Sequence, residues 1–162
     1  MELQAAKSYD ALVTTARAIT AGQTHILANL ANVAALLGEK MPQINWVGFY
    51  LMDGGALILG PFWGKPACVR IELGRGVCGT AAQTDSVQRI EDVHHFPGHI
   101  ACDAASASEL VIPLHQNGAV VGVLDLDSPI PGRFGPEDEA GLCRLAAMLE
   151  ERRWTGCGYS LE

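Results

Sequence analysis

The sequence predicts an α+β domain, and three observations predict it. Two helical apolar stripes open the chain, a run of β-rich segments broken by turn signals fills its middle, and an amphipathic helix closes it. Strands in succession, rather than alternating one by one with helices, favour a central antiparallel sheet over a parallel one. The terminal helices are expected on one face of that sheet. A long loop and a short helix are expected on the other face, with a cavity between loop and sheet.

Tyr9, Leu12, Val13, Ala16 and Ile19 recur at helical spacing and mark the first helix. Thr20-Ala21-Gly22-Gln23 has the form of a capping box, so a second helix is expected to start there. Ile26, Leu27, Leu30, Ala31, Ala34 and Leu37 give it one apolar stripe, and Gly38 is expected to end it. Residues 44–51 and 56–62 are rich in β-branched and aromatic side chains around Asp53-Gly54-Gly55, which reads as a hairpin. Residues 67–73 read as a third strand. Gly74-Arg75-Gly76-Val77-Cys78-Gly79-Thr80 then bends the chain into a short helix ending near Gln83, and a brief strand follows over 86–90. The strongest local signal is the pair of apolar runs 110–116 and 119–126 around Asn117-Gly118, the dipeptide that best fits a type I′ turn. Gly135-Pro136-Glu137-Asp138-Glu139 opens the last helix, with proline and three carboxylates at its positive end. Leu142, Leu145, Ala146 and Leu149 supply its stripe, and Gly156 and Gly158 are expected to end it.

With 162 residues, 49% of them apolar, the chain suits one domain with a sizeable core. A formal charge of −7 disfavours nucleic acid and anionic lipid as partners. No apolar run approaches the ~20 residues of a membrane helix, and the first residues lack a signal peptide's pattern, so a cytoplasmic location is expected. Five cysteines, Cys68, Cys78, Cys102, Cys143 and Cys157, are an odd number with no Cys-x-x-Cys pair. They read as free or redox-active thiols rather than as a disulfide framework or a zinc ribbon.

The chemistry is expected in the stretch 91–109. It is polar and broken by Pro97-Gly98, with a run of small residues after Cys102, which places a soft nucleophile in a loop. Asp125 and Asp127 share one face of a strand. Either they have left the core and are solvated, or they grip an ammonium group, their mutual repulsion raising one pKa so that it donates a proton. Glu109 is the third carboxylate of this region. A two-residue turn pairs Leu110 with Asp125 and Glu109 with Leu126, which puts Glu109 on the opposite face unless a bulge near Pro113 intervenes or Glu109 still belongs to the loop. Trp46 and Tyr50 share a strand face, with Trp63 near the turn after the second strand; they read as core or as an aromatic wall for an S-methyl group.

His95, His99 and Cys102 have ligand-like spacing, but Pro97-Gly98 spoils a helical metal site; hydrogen-bonding loop histidines are the competing reading. Gly74-x-Gly76-x-x-Gly79 lacks the strand-helix alternation of a dinucleotide fold and reads as a tight turn. Cys78 falls in the first turn of the helix behind it, where the dipole is expected to lower its pKa. Cys143 reads as a small hydrophobe beside the last helix's stripe, and Cys157 as part of a frayed tail.

Taken together, 44–50, 59–62, 67–71, 74–80, 87–93, 98–106 and 122–128 strongly resemble the free methionine-(R)-sulfoxide reductases, a family built on a GAF domain. The resemblance runs from roughly Gly22 to Leu149 and includes three cysteine motifs in the family's order. It implies a single GAF domain over 1–162, with its core over roughly 22–150. It also implies reduction of free, not protein-bound, L-methionine (R)-S-oxide, with external thioredoxin as reductant and no bound cofactor or metal. Carried across by motif, Cys102 would attack the sulfoxide, Cys68 would be the main resolving thiol and Cys78 a third that assists. Glu109, Asp125 and Asp127 would bind the substrate and Trp46 would meet its methyl group, with Tyr50 beside it; family members are often homodimers. Cys143 and Cys157 lie outside the three motifs. The competing expectation is a GAF module that binds a small ligand or senses oxidation without turnover, although such sensors usually come joined to an output domain.

Overall fold

In a computed structural model, which describes residues 2–100 and 103–154, the sheet is antiparallel throughout. Its elements are α1 (Glu2–Ile19), α2 (Ile26–Lys40), β1 (Trp46–Asp53), β2 (Ala56–Gly64), β3 (Arg70–Glu72), α3 (Gly76–Thr84), β4 (Gln88–Ile90), β5 (Ser108–Gln116), β6 (Ala119–Ser128) and α4 (Pro136–Glu150), with a single 3-10 turn at Val93–His95. The six strands lie in the order β3-β2-β1-β6-β5-β4. Both tight hairpins form as the sequence predicts. Gly54 and Gly55, and likewise Asn117 and Gly118, take the positive φ that a type I′ turn demands at both central positions.

Alternation along the strands sorts the apolar side chains onto two faces. Val47, Phe49 and Leu51 of β1, Leu110, Ile112 and Leu114 of β5, and Leu124 and Leu126 of β6 pack against α1, α2 and α4 in the larger core. Trp46, Tyr50, Val111 and Val123 face the other way, into a smaller cluster with Val77, Cys78, Ala81 and Ala82 of α3. The sheet thus carries a thick helical layer on one side and only α3 with its flanking loops on the other. That thinner side is where a hollow opens.

Several local expectations need correction. Thr20 does not start α2: its hydroxyl donates to the carbonyls of Ala16 and Arg17 at the end of α1, and α2 begins at Ile26 behind His25, which makes no side-chain cap. A hydroxyl can serve either helix end, so the capping-box pattern did not discriminate between them. Gly38 does not end α2, which continues to Lys40. A Cβ there would lie 2.4 Å from the Trp63 ring, so the glycine makes room for Trp63 on the helical face of the sheet. The third strand is shorter than expected: its register with β2 covers only Arg70–Glu72, with one further hydrogen bond from the Leu59 N–H to the Val69 carbonyl, while Pro66 and Ala67 before it line the pocket. The closing helix stops at Glu150, with Glu151 as its C-cap, well before Gly156, which lies outside the described residues along with Gly158 and Cys157. Its start is as predicted: Pro136 occupies the first turn with three carboxylates, and the Gly135 N–H donates to Asp138 Oδ2.

Candidate active site

The register of the β5-β6 hairpin decides what the pocket can be. From the turn, Gln116 pairs with Ala119 and His115 with Val120; then Leu114 pairs with Gly122, leaving Val121 as an extra residue. This bulge advances β6 by one position, so that Glu109 faces Asp127 and Val111 faces Asp125. All three carboxylates therefore project from the same face, and the slip that a simple hairpin would impose on Glu109 is absent. The bulge lies opposite the segment just beyond Pro113, close to where the sequence required one.

That face forms the floor of a narrow pocket, with a cavity volume of about 30 Å³, open to solvent on one side. Trp46 and Tyr50 build one wall, their rings stacked with centroids 6.0 Å apart, and Phe62 stacks on Trp46 at 5.5 Å. Both rings are held by their polar ends: Trp46 Nε1 donates to the Lys65 carbonyl and the Tyr50 hydroxyl to the Cys68 carbonyl. The choice between core and wall dissolves, because Trp46 and Tyr50 are buried and line the pocket at once. Trp63 is not part of the wall, since it points to α2 on the opposite face.

Glu109 and Asp125 are buried, at 6% and 5% exposure, so the solvated reading of the strand acids fails for Asp125. Asp127, half-buried, also lines the pocket. Burial pushes all three carboxyls well above the usual carboxylate range, and neighbouring charges add to the rise: Asp127 acts on Glu109, Glu109 on Asp125, and Asp125 on Asp127. One oxygen of Asp125, Oδ1, has no hydrogen-bond partner among the described residues. Burial and mutual repulsion thus favour the protonated form of these carboxyls, and a protonated carboxyl can donate.

Cys78 completes the floor, its Sγ 3.9 Å from Glu109 Oε1. Here the sequence expectation is reversed. Cys78 does sit in the first turn of α3, but burial drives its pKa well above the ordinary thiol value, and Asp125 and Glu109 push the same way. Desolvation and two acidic neighbours outweigh the helix dipole. Cys78, Glu109 and Asp125 each offer a metal-ligating atom within 4.8 Å of the others.

The loop expected to carry the chemistry closes the pocket from above. His99 lines it with Nε2 3.6 Å from Glu109 Oε2, and burial lowers its pKa. His95 is 85% exposed and pairs with Asp92, so the described loop histidines do not converge on a metal. Cys102 lies outside the described residues. Its neighbour Asp103 lines the pocket and is tied down on several sides: Asn45 Nδ2 donates to its Oδ2, the Ala105 N–H donates to its Oδ1, and Lys65 Nζ lies 3.8 Å away. Asn45 also donates to Ser106, fastening the loop at a second point. Cys68 is in a disulfide whose partner is neither Cys78 nor Cys143, both of which are free. Cys143 packs against the helical core as the small hydrophobe it was expected to be.

The GAF domain family matches residues 13–152. The free methionine-R-sulfoxide reductase of Escherichia coli is 60% identical over 134 residues, which cover 83% of this chain and 81% of that protein. The chain belongs to the free methionine-R-sulfoxide reductase family. Solved members superpose on it closely. Staphylococcus aureus fRMsr in its reduced form matches with a TM-score of 0.88 at 46% identity, covering 90% of this chain and 94% of that one. The free methionine-R-sulfoxide reductase of Neisseria meningitidis, in complex with its substrate, matches with a TM-score of 0.88 at 43% identity, covering 91% and 89%.

Within this reductase family frame, sequence reasoning missed Lys65, Arg75, Asp103 and Ser106 as pocket-lining residues and Asn45 as the anchor of the loop. Asp103 could have been found, since a carboxylate next in sequence to a loop cysteine is conspicuous. Asn45 carried no signal, because a lone amide at a strand entrance points nowhere until the loop folds over it.

Proposed function

We propose that this chain reduces free L-methionine (R)-S-oxide to L-methionine. The observation that carries the reading is the convergence of Glu109, Asp125 and Asp127 beneath the Trp46–Tyr50 wall, in one solvent-open pocket. The aromatic wall suits the S-methyl group, the acids suit the ammonium, and Lys65 and Arg75 suit the free carboxylate. A peptide would have to bury its flanking amides in the same hollow.

The thiolate of Cys102 attacks while a protonated carboxyl donates to the sulfoxide oxygen, which is a poor leaving group until polarised. Oxygen passes to the thiol, giving methionine and a sulfenic acid on Cys102. The Cys68 thiol condenses with that sulfenic acid, releasing water and forming a disulfide. Thioredoxin, as external dithiol, reopens it and leaves oxidised. That Cys68 is disulfide-bonded, and close enough to the pocket for its carbonyl to hold Tyr50, supports its resolving role. Cys78, protonated and buried against Glu109, assists by shaping the acid cluster rather than as a second nucleophile. A homodimer in the cytoplasm completes the reading.

The deciding experiment is a stereospecific assay of the two sulfoxide epimers, free and in a peptide, on wild type, Cys102→Ser and Cys68→Ser. Only the free (R) epimer is expected to turn over. Cys102→Ser is expected to be inert with any reductant, and Cys68→Ser to release one methionine per chain but lose thioredoxin-driven cycling. Wild-type activity in Cys102→Ser would refute the mechanism. Binding without turnover would favour the sensor reading.

A further inference from the structure

Three groups of different chemistry meet at the floor of the pocket: a thiol and two carboxylates, all buried, with ligand atoms within 4.8 Å of one another. A tetrahedral zinc ion, bonded at about 2.3 Å to sulfur and about 2.0–2.2 Å to oxygen, sets its ligand atoms roughly 3.5 Å apart. The 3.9 Å separation of Cys78 Sγ and Glu109 Oε1 is within a few tenths of an ångström of that. Independently of the clustering, Asp125 is 5% exposed and its Oδ1 lacks any hydrogen-bond partner among the described residues, so one buried oxygen of the set is left unsatisfied there. His99 Nε2 lies 3.6 Å from Glu109 Oε2, close to the carboxyl but beyond hydrogen-bond distance. A sulfur ligand discriminates against magnesium and calcium, which take oxygen, and favours zinc(II) or cobalt(II).

We propose that Cys78, Glu109 and Asp125 form a binding site for a divalent transition metal, zinc(II) or its spectroscopic substitute cobalt(II), and that the bound ion shuts the pocket against the amino-acid substrate. Three protein ligands leave a fourth position open towards the hollow. The ion occupies two of the three acids that would otherwise serve the sulfoxide, so metal and substrate exclude one another. The exclusion rests on the substrate assignment above; the ligation does not.

Reduced, metal-free full-length chain in a phosphine reductant is titrated with cobalt chloride. The expected result is a thiolate-to-cobalt charge-transfer band in the near ultraviolet that saturates at one ion per chain and is displaced by zinc chloride but not by magnesium chloride. Cys78→Ser is expected to abolish the band, and Glu109→Gln and Asp125→Asn to weaken cobalt binding at least about tenfold. Since a buried variant can fail to fold, X-ray absorption on the zinc complex of the wild type provides a second reading: one sulfur neighbour, with oxygen or nitrogen for the rest. No band, a band unchanged in Cys78→Ser, or a zinc shell with no sulfur would overturn the site. In Cys102→Ser, which cannot turn the sulfoxide over, saturating free methionine (R)-sulfoxide is expected to bleach the cobalt band, and a band that persists would overturn the exclusion. Turnover by Cys102, measured without metal, is unaffected by either outcome, so the two assignments fail separately.

Discussion

Asp125 is a carboxyl that the fold pays to keep. Burial first, and then the charge of Glu109, raises its pKa well above the ordinary value, so the folded chain binds its proton more tightly than the unfolded chain does. For such an acid, stability falls as pH rises from the unfolded value, about 3.9, through the raised folded value. Asp125→Asn removes that slope. In thermal melts the variant is expected to gain on wild type progressively as pH rises, while its kcat/KM falls by about 100-fold or more as the acid cluster loses a donor. A melting curve that tracks wild type at every pH would show that the carboxyl carries no such cost. The geometry of the pocket was partly legible at this scale. The sequence pointed to three acids and two aromatics that the fold does bring together, but not to Asn45 or to Cys78's contact with Glu109, because side-chain partners across 31 or 58 residues leave no local pattern.

Between elements, His115 is the clearest junction. It stands on β5, its Nδ1 2.8 Å from Glu150 at the end of α4 and its Nε2 2.6 Å from Asp85, the C-cap of α3. Burial works against its charge, but the hydrogen bonds to Asp85 and Glu150 outweigh it and hold the imidazole pKa above the usual value. A raised histidine contributes stability that is fully present below the unfolded pKa of about 6.5 and is lost as pH climbs through the folded value. His115→Gln is expected to remove that alkaline step from the pH dependence of the melting temperature and leave the sulfoxide assay little changed. The effect is modest, because the cluster is partly exposed and screened. Gly141 marks a second junction: a Cβ there would lie 2.2 Å from the Tyr9 ring, where α4 crosses α1. Gly141→Ala is expected to destabilise by about 1–3 kcal/mol in denaturant unfolding, by forcing that ring aside. Element types were readable from periodicity, whereas several helix ends were not, although the start of α4 was. Thr20 and Gly38 both carried helix-end chemistry, and each served a neighbour instead: the hydroxyl closed the previous helix and the glycine admitted Trp63.

Across the whole molecule, the sheet separates two tasks. Leu110, Ile112, Leu114, Leu124 and Leu126 hold the helices on one face, and on the other the alternate positions of the same two strands carry the acids. The division into helix-backed sheet and loop-covered pocket followed from strand alternation, and so could be expected before any coordinates. The register of β5 on β6 could not, because the turn residues favour one pairing and a single extra residue, Val121, imposes another. Deleting Val121 is expected to abolish sulfoxide reduction and depress the melting temperature sharply, a larger effect than truncating the same residue in Val121→Ala. Equal behaviour of the two variants would show that side-chain packing, not strand pairing, is what Val121 supplies.

That one supernumerary residue makes the hairpin sensitive to arithmetic. Lengthening the loop at Asn117-Gly118 leaves the pairing beyond the bulge untouched, so descendants of this chain can vary freely at the tip. A loss or gain of a single codon within either strand past that point exchanges inside for outside, carrying an acid into oil and a leucine into water. Extra residues are thereby expected to be tolerated at the tip of the hairpin and not within its paired strands.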